Sequence, residues 1–270
     1  MIGQAFFGTN TLPLWTPAKL TPEIWLDASD STTITTASGG VNTWADKTAN
    51  GNNFTQGSGT LNVHPTVTTA GLNGLNVINF SGTSFLLGTA THTRSLCQNV
   101  ASFSTYIVSH VNVVSSGVGR LILWSLSAGT SPRASITLFS SQYLLQQDRL
   151  DSGTQANNGL SHVAGARITG AEHSFSTAQS TIWVDGTGNT SATGQGSGNS
   201  VNTISTEVEL GGTASVGSQN IVGDVAEMVC ISGLLSTTNR QILEGYFAYK
   251  WGLTANLPSG HPYKTVPPYA

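Results

Sequence analysis

Glu207 and Glu209 flank Val208 in a stretch, residues 203 to 210, whose apolar members Ile204, Val208 and Leu210 alternate with polar ones. If this stretch is a strand, its period of two sends both carboxylates out of one face and the apolar side chains out of the other. Two carboxyl groups held roughly 5 to 5.5 Å apart are what a retaining glycosidase uses as acid and nucleophile. Two solvated charges on an outward strand face satisfy the same spacing. That is the reading adopted, with Glu207 and Glu209 kept as the alternative catalytic pair.

Glu227 has a different setting. It alternates in phase with Val225, Val229 and Ile231, which points its carboxylate toward the core unless the strand bulges. A buried carboxylate needs partners, so Glu227 is expected to be structural, anchoring a following helix to the sheet, with Arg240 on that helix as its partner and Trp251 at the helix end. Trp183 and Tyr143 could stack against sugar rings, although a sandwich also needs large residues in its core.

Asp46, Asn50 and Asn52 surround Gly51 in an oxygen-rich loop, the kind of donor set calcium takes. The ordered spacing of a dedicated calcium loop is missing, and a turn closed by its own Asx side chains is favoured, so no cofactor is expected apart from this calcium candidate. The six histidines form no His-x-x-x-His pair and lie near neither cysteine, which leaves zinc unsupported. No Gly-x-Ser-x-Gly elbow is present to organise a serine nucleophile. Cys97 and Cys230 have no metal-ligand spacing, and Cys230 lies in an alternating strand where a buried thiol is expected.

The elements that must carry these residues are mostly strands. Short apolar runs separated by turn residues recur along the chain, and the longest, residues 102 to 114, alternates Phe103, Ile107, Val111 and Val113 against Tyr106 and Val108. Apolar residues on both faces suit a central strand covered on both sides. Residues 162 to 168 and 181 to 184 also read as strands, and Asp185-Gly186 reads as a hairpin turn. Residues 186 to 200 hold no apolar side chain larger than alanine and read as a mobile surface loop. The one good helix starts after Ser236, a natural N-cap, repeats Ile242, Leu243, Tyr246, Phe247 and Trp251 at helical spacing, and stops at Gly252.

Charge is sparse. Only 9% of the 270 residues are charged and the net charge is −3. The surface must therefore be polar mainly through Ser, Thr, Asn and Gln, and dispersed Lys and Arg give no stripe for binding nucleic acid. Between Asp46 and Asp148 there is no acid, while Lys47, Arg94, Arg120 and Arg133 fall there. The N-terminus is read as lacking the basic and apolar regions of a signal peptide, and no apolar run is long enough to span a membrane.

Three segments carry a resemblance: Trp25 to Asp30 reads WLDASD, Trp44 to Asn52 reads W-A-D-K-T-A-N-G-N, and Ala226 to Tyr263 follows AE, LS, R, EGY, KWGL, LP and HPY. The pattern resembles the concanavalin A-like, laminin-G-like jelly-roll domains of phage virion proteins and some secreted bacterial proteins. It implies an all-β antiparallel β-sandwich with one short C-terminal helix. Glucanases of related fold carry Glu-x-Asp-x-Glu on a strand. Here Ser205 precedes Glu207 by two, so the third carboxylate is lacking.

The expected organisation is an N-terminal docking arm over residues 1 to 20, a sandwich over 21 to 257 and a Pro-rich tail over 258 to 270. Phe6, Phe7, Leu14 and Trp15 on the arm and Pro262 and Tyr263 on the tail are expected to contact neighbouring subunits. The resemblance implies a non-enzymatic virion structural protein, a head decoration or fibre or a tail-associated adhesion module, whose partners are capsid or tail subunits in a homo-oligomer or larger assembly. A host surface glycan is the further expected partner. A lectin-like secreted bacterial binding domain is the remaining alternative.

Overall fold

The computed structural model describes residues 12–57, 63–114, 117–125, 132–139, 142–150, 155–213 and 219–270, with the backbone alone at 113, 114, 132, 133 and 207. Two antiparallel sheets and a C-terminal helix make up the body, as the all-β reading requires.

One sheet has eight strands. It runs from β15 (Thr187–Ala192) through β14 (Gln179–Val184), β13 (Arg167–Ser174), β8 (Ser102–Val114), β17 (Ile221–Ser232) and β6 (Leu75–Ser81) to β5 (Thr66–Leu72). Its eighth strand, β1 (Ile24–Asp27), pairs with β17 beyond the end of β6. The other sheet has nine strands. It runs from β12 (Ala156–Ser161) through β11 (Gln142–Gln147), β10 (Pro132–Phe139), β9 (Val118–Ser125), β16 (Glu207–Leu210), β7 (Leu86–Gly88) and β4 (Phe54–Gln56) to β3 (Gly40–Trp44) and β2 (Ile34–Ala37).

Alternation along β8 places its residues in two separate cores. Phe103, Ile107 and Val111 enter the core between the sheets with Trp124, Ile136 and Met228. Tyr106 and Val108 face the other way, into a second core under helix α2 (Thr237–Trp251), with Val229, Leu243, Phe247 and Trp251. Each such side chain contributes roughly 1.5 to 3 kcal/mol by leaving water, so both faces of the eight-stranded sheet carry substantial apolar stabilisation.

Helix α2 has the ends its sequence implies. The Ser236 hydroxyl accepts from the Asn239 amide at 3.2 Å, and Gly252 closes the helix at φ 73°. Asn73 adds a cap from outside, donating its amide to the Lys250 carbonyl at 2.9 Å.

Four segments differ from expectation, one of them residues 203 to 206, which form no strand ahead of β16. Residues 162 to 166 form no strand, because β12 ends at Ser161 and β13 begins at Arg167. The stretch read as a loop begins as β15: Asp185 (φ 49°) and Gly186 (φ 82°) form a tight two-residue turn that pairs Val184 with Thr187. An edge strand needs only one hydrogen-bonded partner and no buried face, so its polar composition hides it from apolar periodicity. Residues 193 to 200 are also tied down, since Arg149 donates to the Gln195 carbonyl at 3.0 Å and Ser200 bonds across to Val100. A five-residue helix, α1 (Thr91–Ser95), has no apolar repeat to announce it.

Residues 13 to 15 and the C-terminal residues pack on each other and on the body. Leu14 bridges Tyr269, the Trp15 amide donates to the Pro268 carbonyl at 2.8 Å, and the Ala270 amide donates to the Pro13 carbonyl at 2.9 Å. Trp15 is 8% exposed and meets Tyr246 of α2 edge-on at 6.0 Å. Tyr263 lies over Gly245, where any β-carbon would strike its ring. Trp15 is thereby spent on contacts within the chain, while Leu14 and Tyr263 make such contacts and stay half-buried. Pro262 is exposed, and Phe6 and Phe7 lie outside the described residues.

Candidate functional site

The segments that carry the resemblance converge on Glu227. Its Oε1 accepts from Trp25 Nε1 at 2.7 Å and from the Tyr246 hydroxyl at 3.0 Å, and its Oε2 accepts from Trp251 Nε1 at 2.7 Å and from Lys250 Nζ at 2.8 Å. Glu227 is 0% exposed, and burial raises its carboxyl group above the usual range against the pull of Lys250. Four donors, one of them a lysine, explain how a carboxylate is tolerated there. The cation is Lys250, one residue before the helix end, and not Arg240.

Lys250 continues the network into Asp27 at 2.7 Å, and Lys47 joins Asp27 at 3.0 Å and Asp30 at 2.9 Å while its amine lies 4.5 Å from the centre of the Trp25 ring. Burial alone would raise the Asp27 carboxyl, but Lys250, Ser29 and Lys47 outweigh it and hold it below the usual value. Asp30 is lowered to about 2 by the Thr32 hydroxyl and Lys47. Three chain segments more than 170 residues apart at their extremes are thus fastened by one alternating set of charges.

A register shift between Val225 and Glu227 makes this geometry. Val225 and Met228 enter the core between the sheets, while Ala226 and Glu227 both fall on the helix side. The bulge supplies the exception to simple alternation, and it turns Glu227 toward α2. Cys230, one of the two free buried cysteines, keeps its phase in the inter-sheet core.

A second bulge sets Arg120. Simple alternation would put Arg120 in phase with Ile122 and Trp124, both in the core, but a shift between Ile136 and Thr137 pairs Arg120 with Thr137 on the outer face of the nine-stranded sheet. There the guanidinium donates to Gln219 Oε1 at 3.0 Å, to the Thr137 hydroxyl at 2.9 Å and to Gln146. Burial lowers Arg120 to about 10, opposed by the charge of Glu209.

Glu209 lies on that outer face, opposite the core residues Val208 and Leu210, as the alternation requires. It is 0% exposed, which corrects its reading as a solvated charge. Glu207 pairs with Ser125 through its backbone, and its side chain lies outside the described residues.

The stacking candidates are covered. Tyr143 is 0% exposed inside the inter-sheet core. Over the Trp183 ring sits the Arg240 guanidinium, 3.6 Å from its centre, and Gly188 packs so closely against the indole that a β-carbon there would strike it. Arg240 is held in turn by Glu244 at 2.7 Å, and Glu244 also meets His261 at 3.1 Å. This fixes the tail to the helix and corrects the use of either aromatic as an open platform.

The oxygen-rich loop is closed by its own bonds. Asp46 accepts from the amides of Trp25, Thr48 and Asn52 and from the Thr48 hydroxyl, all within 3.1 Å. Asn52 Oδ1 accepts from Thr93, and both Asn50 and Asn52 donate to the Glu23 carbonyl. Among the described residues no group of three or more acidic, His or Cys side chains could hold a metal ion. Beside this loop an open groove of about 540 Å³ runs along Glu23, Trp25, Lys47 and Asn50. Among the described residues no helix is long and apolar enough to cross a membrane.

No protein-family model matches the chain, and no curated protein matches it in sequence. Solved structures do. Trypanosoma rangeli sialidase, in complex with the inhibitor DANA, is similar with a TM-score of 0.53 and 13% identity over 84% of this chain and 33% of that one. The binding domain of botulinum neurotoxin DC, in complex with rat synaptotagmin II, is similar with a TM-score of 0.50 and 11% identity over 84% of this chain and 51% of that one. The chain therefore spans about a third of the one relative and half of the other. At these identities the likeness is one of fold, and it agrees with the jelly-roll sandwich described above.

Proposed function

We propose that the chain is a non-enzymatic jelly-roll module of a phage particle, a head decoration or fibre or a tail-associated adhesion module, that binds host glycan through its polar, sparsely charged surface. The observation that carries this reading is the commitment of Glu227. This buried acid, expected to be structural, accepts from two indoles, a phenol and a lysine, and has no face left for a substrate. Asp27, Asp46 and Glu244 are committed in the same way to lysines, backbone amides or Arg240. What remains outward is hydroxyl and amide, the surface chemistry that exchanges hydrogen bonds with sugars.

A particle role rests on the resemblance in the three signature segments, whose residues act together here as one structural unit around Glu227. Trp15 packs within the chain while Leu12, Pro262, Val266 and Tyr269 stay exposed, and docking is assigned to residues 1 to 11, with Phe6 and Phe7. Two measurements test the reading. A glycan array probed with and without EDTA should show binding that EDTA leaves unchanged. Removal of residues 1 to 11 should abolish incorporation into particles while the melting temperature stays within a few degrees. Absence of any glycan signal, or undiminished incorporation, contradicts the corresponding half.

A further inference from the structure

The acid-free stretch between Asp46 and Asp148 supplies most of the nine-stranded sheet, and one of its cations has no counter-charge among the described residues. Arg94, on α1, is half-buried and makes a single side-chain bond, from Nε to the Ser205 carbonyl at 2.8 Å. Among the described side chains no acceptor meets either of its Nη groups and no carboxylate lies within ion-pair distance, the side chain of Glu207 being outside that set. The other described arginines are placed differently: Arg167 pairs with Asp185, Arg240 with Glu244, and Arg120 feels Glu209. Arg149 is spent on loop carbonyls.

Arg94 also lines a cavity of about 100 Å³ with Leu87, Gly88, Thr89, Thr206 and Val208. The Nε bond fixes the plane of the guanidinium and leaves the two Nη donors as a fork. Such a fork matches the two oxygens of a carboxylate, and a single positive charge balances a carboxylate better than a doubly charged phosphate. Thr89 is an exposed hydroxyl at the rim, the Thr206 hydroxyl donates to the Ser125 carbonyl at 3.3 Å, and half-buried Leu87 gives apolar contact above the buried Val208. At about 100 Å³ the space is well below the roughly 300 Å³ of a pocket that swallows a whole ligand, so it takes a substituent and leaves the ring at its mouth.

From this geometry we infer that the Arg94 cleft is a subsite for the carboxylate of an acidic sugar, a uronic or related acid, on the glycan bound by this chain. The inference rests on the glycan-binding reading and narrows it to carboxylated residues. Arg94 acts as a binding group, with Thr89 bonding to the ring.

The full chain, ¹⁵N-labelled, is titrated with glucuronate, with its methyl ester and with glucose while the Arg94 Nε–H resonance is followed. A saturable shift with glucuronate is expected, weaker by at least about tenfold for the ester, since one charge-assisted bond pair is lost. R94Q should remove the response. T89V, at an exposed position that leaves the sheet intact, should weaken it without changing the melting temperature. No saturable shift with glucuronate, or an equal shift with the ester, would overturn the inference. An array in which only neutral glycans bind, equally in wild type and R94Q, would overturn it while leaving the glycan reading intact. An array without any binding, beside a saturable glucuronate shift, would do the reverse.

Discussion

Glu227 Oε2 and Lys250 Nζ meet at 2.8 Å, and that single contact joins strand β17 of the helix-bearing sheet to the last turn of α2. Lys250 also bonds Asp27 on β1, so one ammonium group ties together strand, strand and helix. Removing one member of a buried pair leaves the other charge uncompensated. Glu227→Gln is expected to lower unfolding free energy by about 3 kcal/mol, read by urea denaturation. An unchanged midpoint would mean that the helix is held by apolar packing alone.

Acid should destabilise the protein through His173. Its ring is buried between Phe103 and Phe175, with Nδ1 3.2 Å from Gln147, and burial lowers its pKa to about 3. An unfolded imidazole takes up its proton near 6.5, so between the two values the unfolded state binds more protons. Stability from the neutral ring is complete above 6.5 and is lost as pH falls, at up to about 1.4 kcal/mol per pH unit. His162 shifts in the same direction through burial and Arg167. His173→Gln should flatten the stability profile between pH 6.5 and 5, measured by urea titration at each pH.

Arg240 performs two tasks that one substitution can separate from Glu227. Arg240→Ala removes the cation over Trp183 and leaves the Glu244 carboxylate, 1% exposed, facing only His261. A loss of about 3 kcal/mol is expected, with the Trp183 emission shifted to longer wavelength as water reaches the ring. Identical melting curves for variant and wild type would refute the account of this corner.

Trp15 is a packing residue in this structure. Trp15→Ala should cost roughly 3 kcal/mol through the cavity left against Tyr246, measurable in the isolated chain by calorimetry. A subunit-docking residue, by contrast, would leave the melting temperature of the isolated chain unchanged.

Local patterns in the sequence foretell local structure well. The alternation of Phe103 and Ile107 against Tyr106 and Val108 marks a strand covered on both faces, and Ser236 and Gly252 mark the ends of α2. The Lys250–Asp27 and Lys47–Asp30 contacts are not readable in this way, because the alternation of a single strand says nothing about partners distant in the chain. Both bulges were hidden for the same reason. An extra residue at Ala226, or near Leu121, is recognisable only once the neighbouring strand is known, and each reverses the face of a polar side chain. Strand β15 escaped because an exposed edge strand is held by backbone bonds and carries no apolar signature. The acid-free stretch was visible as composition, but Arg94 became distinct only when Ser205 was found to hold it.

The most direct measurement for the central claim, that the acidic residues build the fold and do not turn over substrate, is release of reducing ends from host capsule, lipopolysaccharide and β-glucan by the purified protein. The account predicts no release above the buffer control for wild type. Sustained release that disappears in Glu207→Gln or Glu209→Gln, with folding intact, would contradict it.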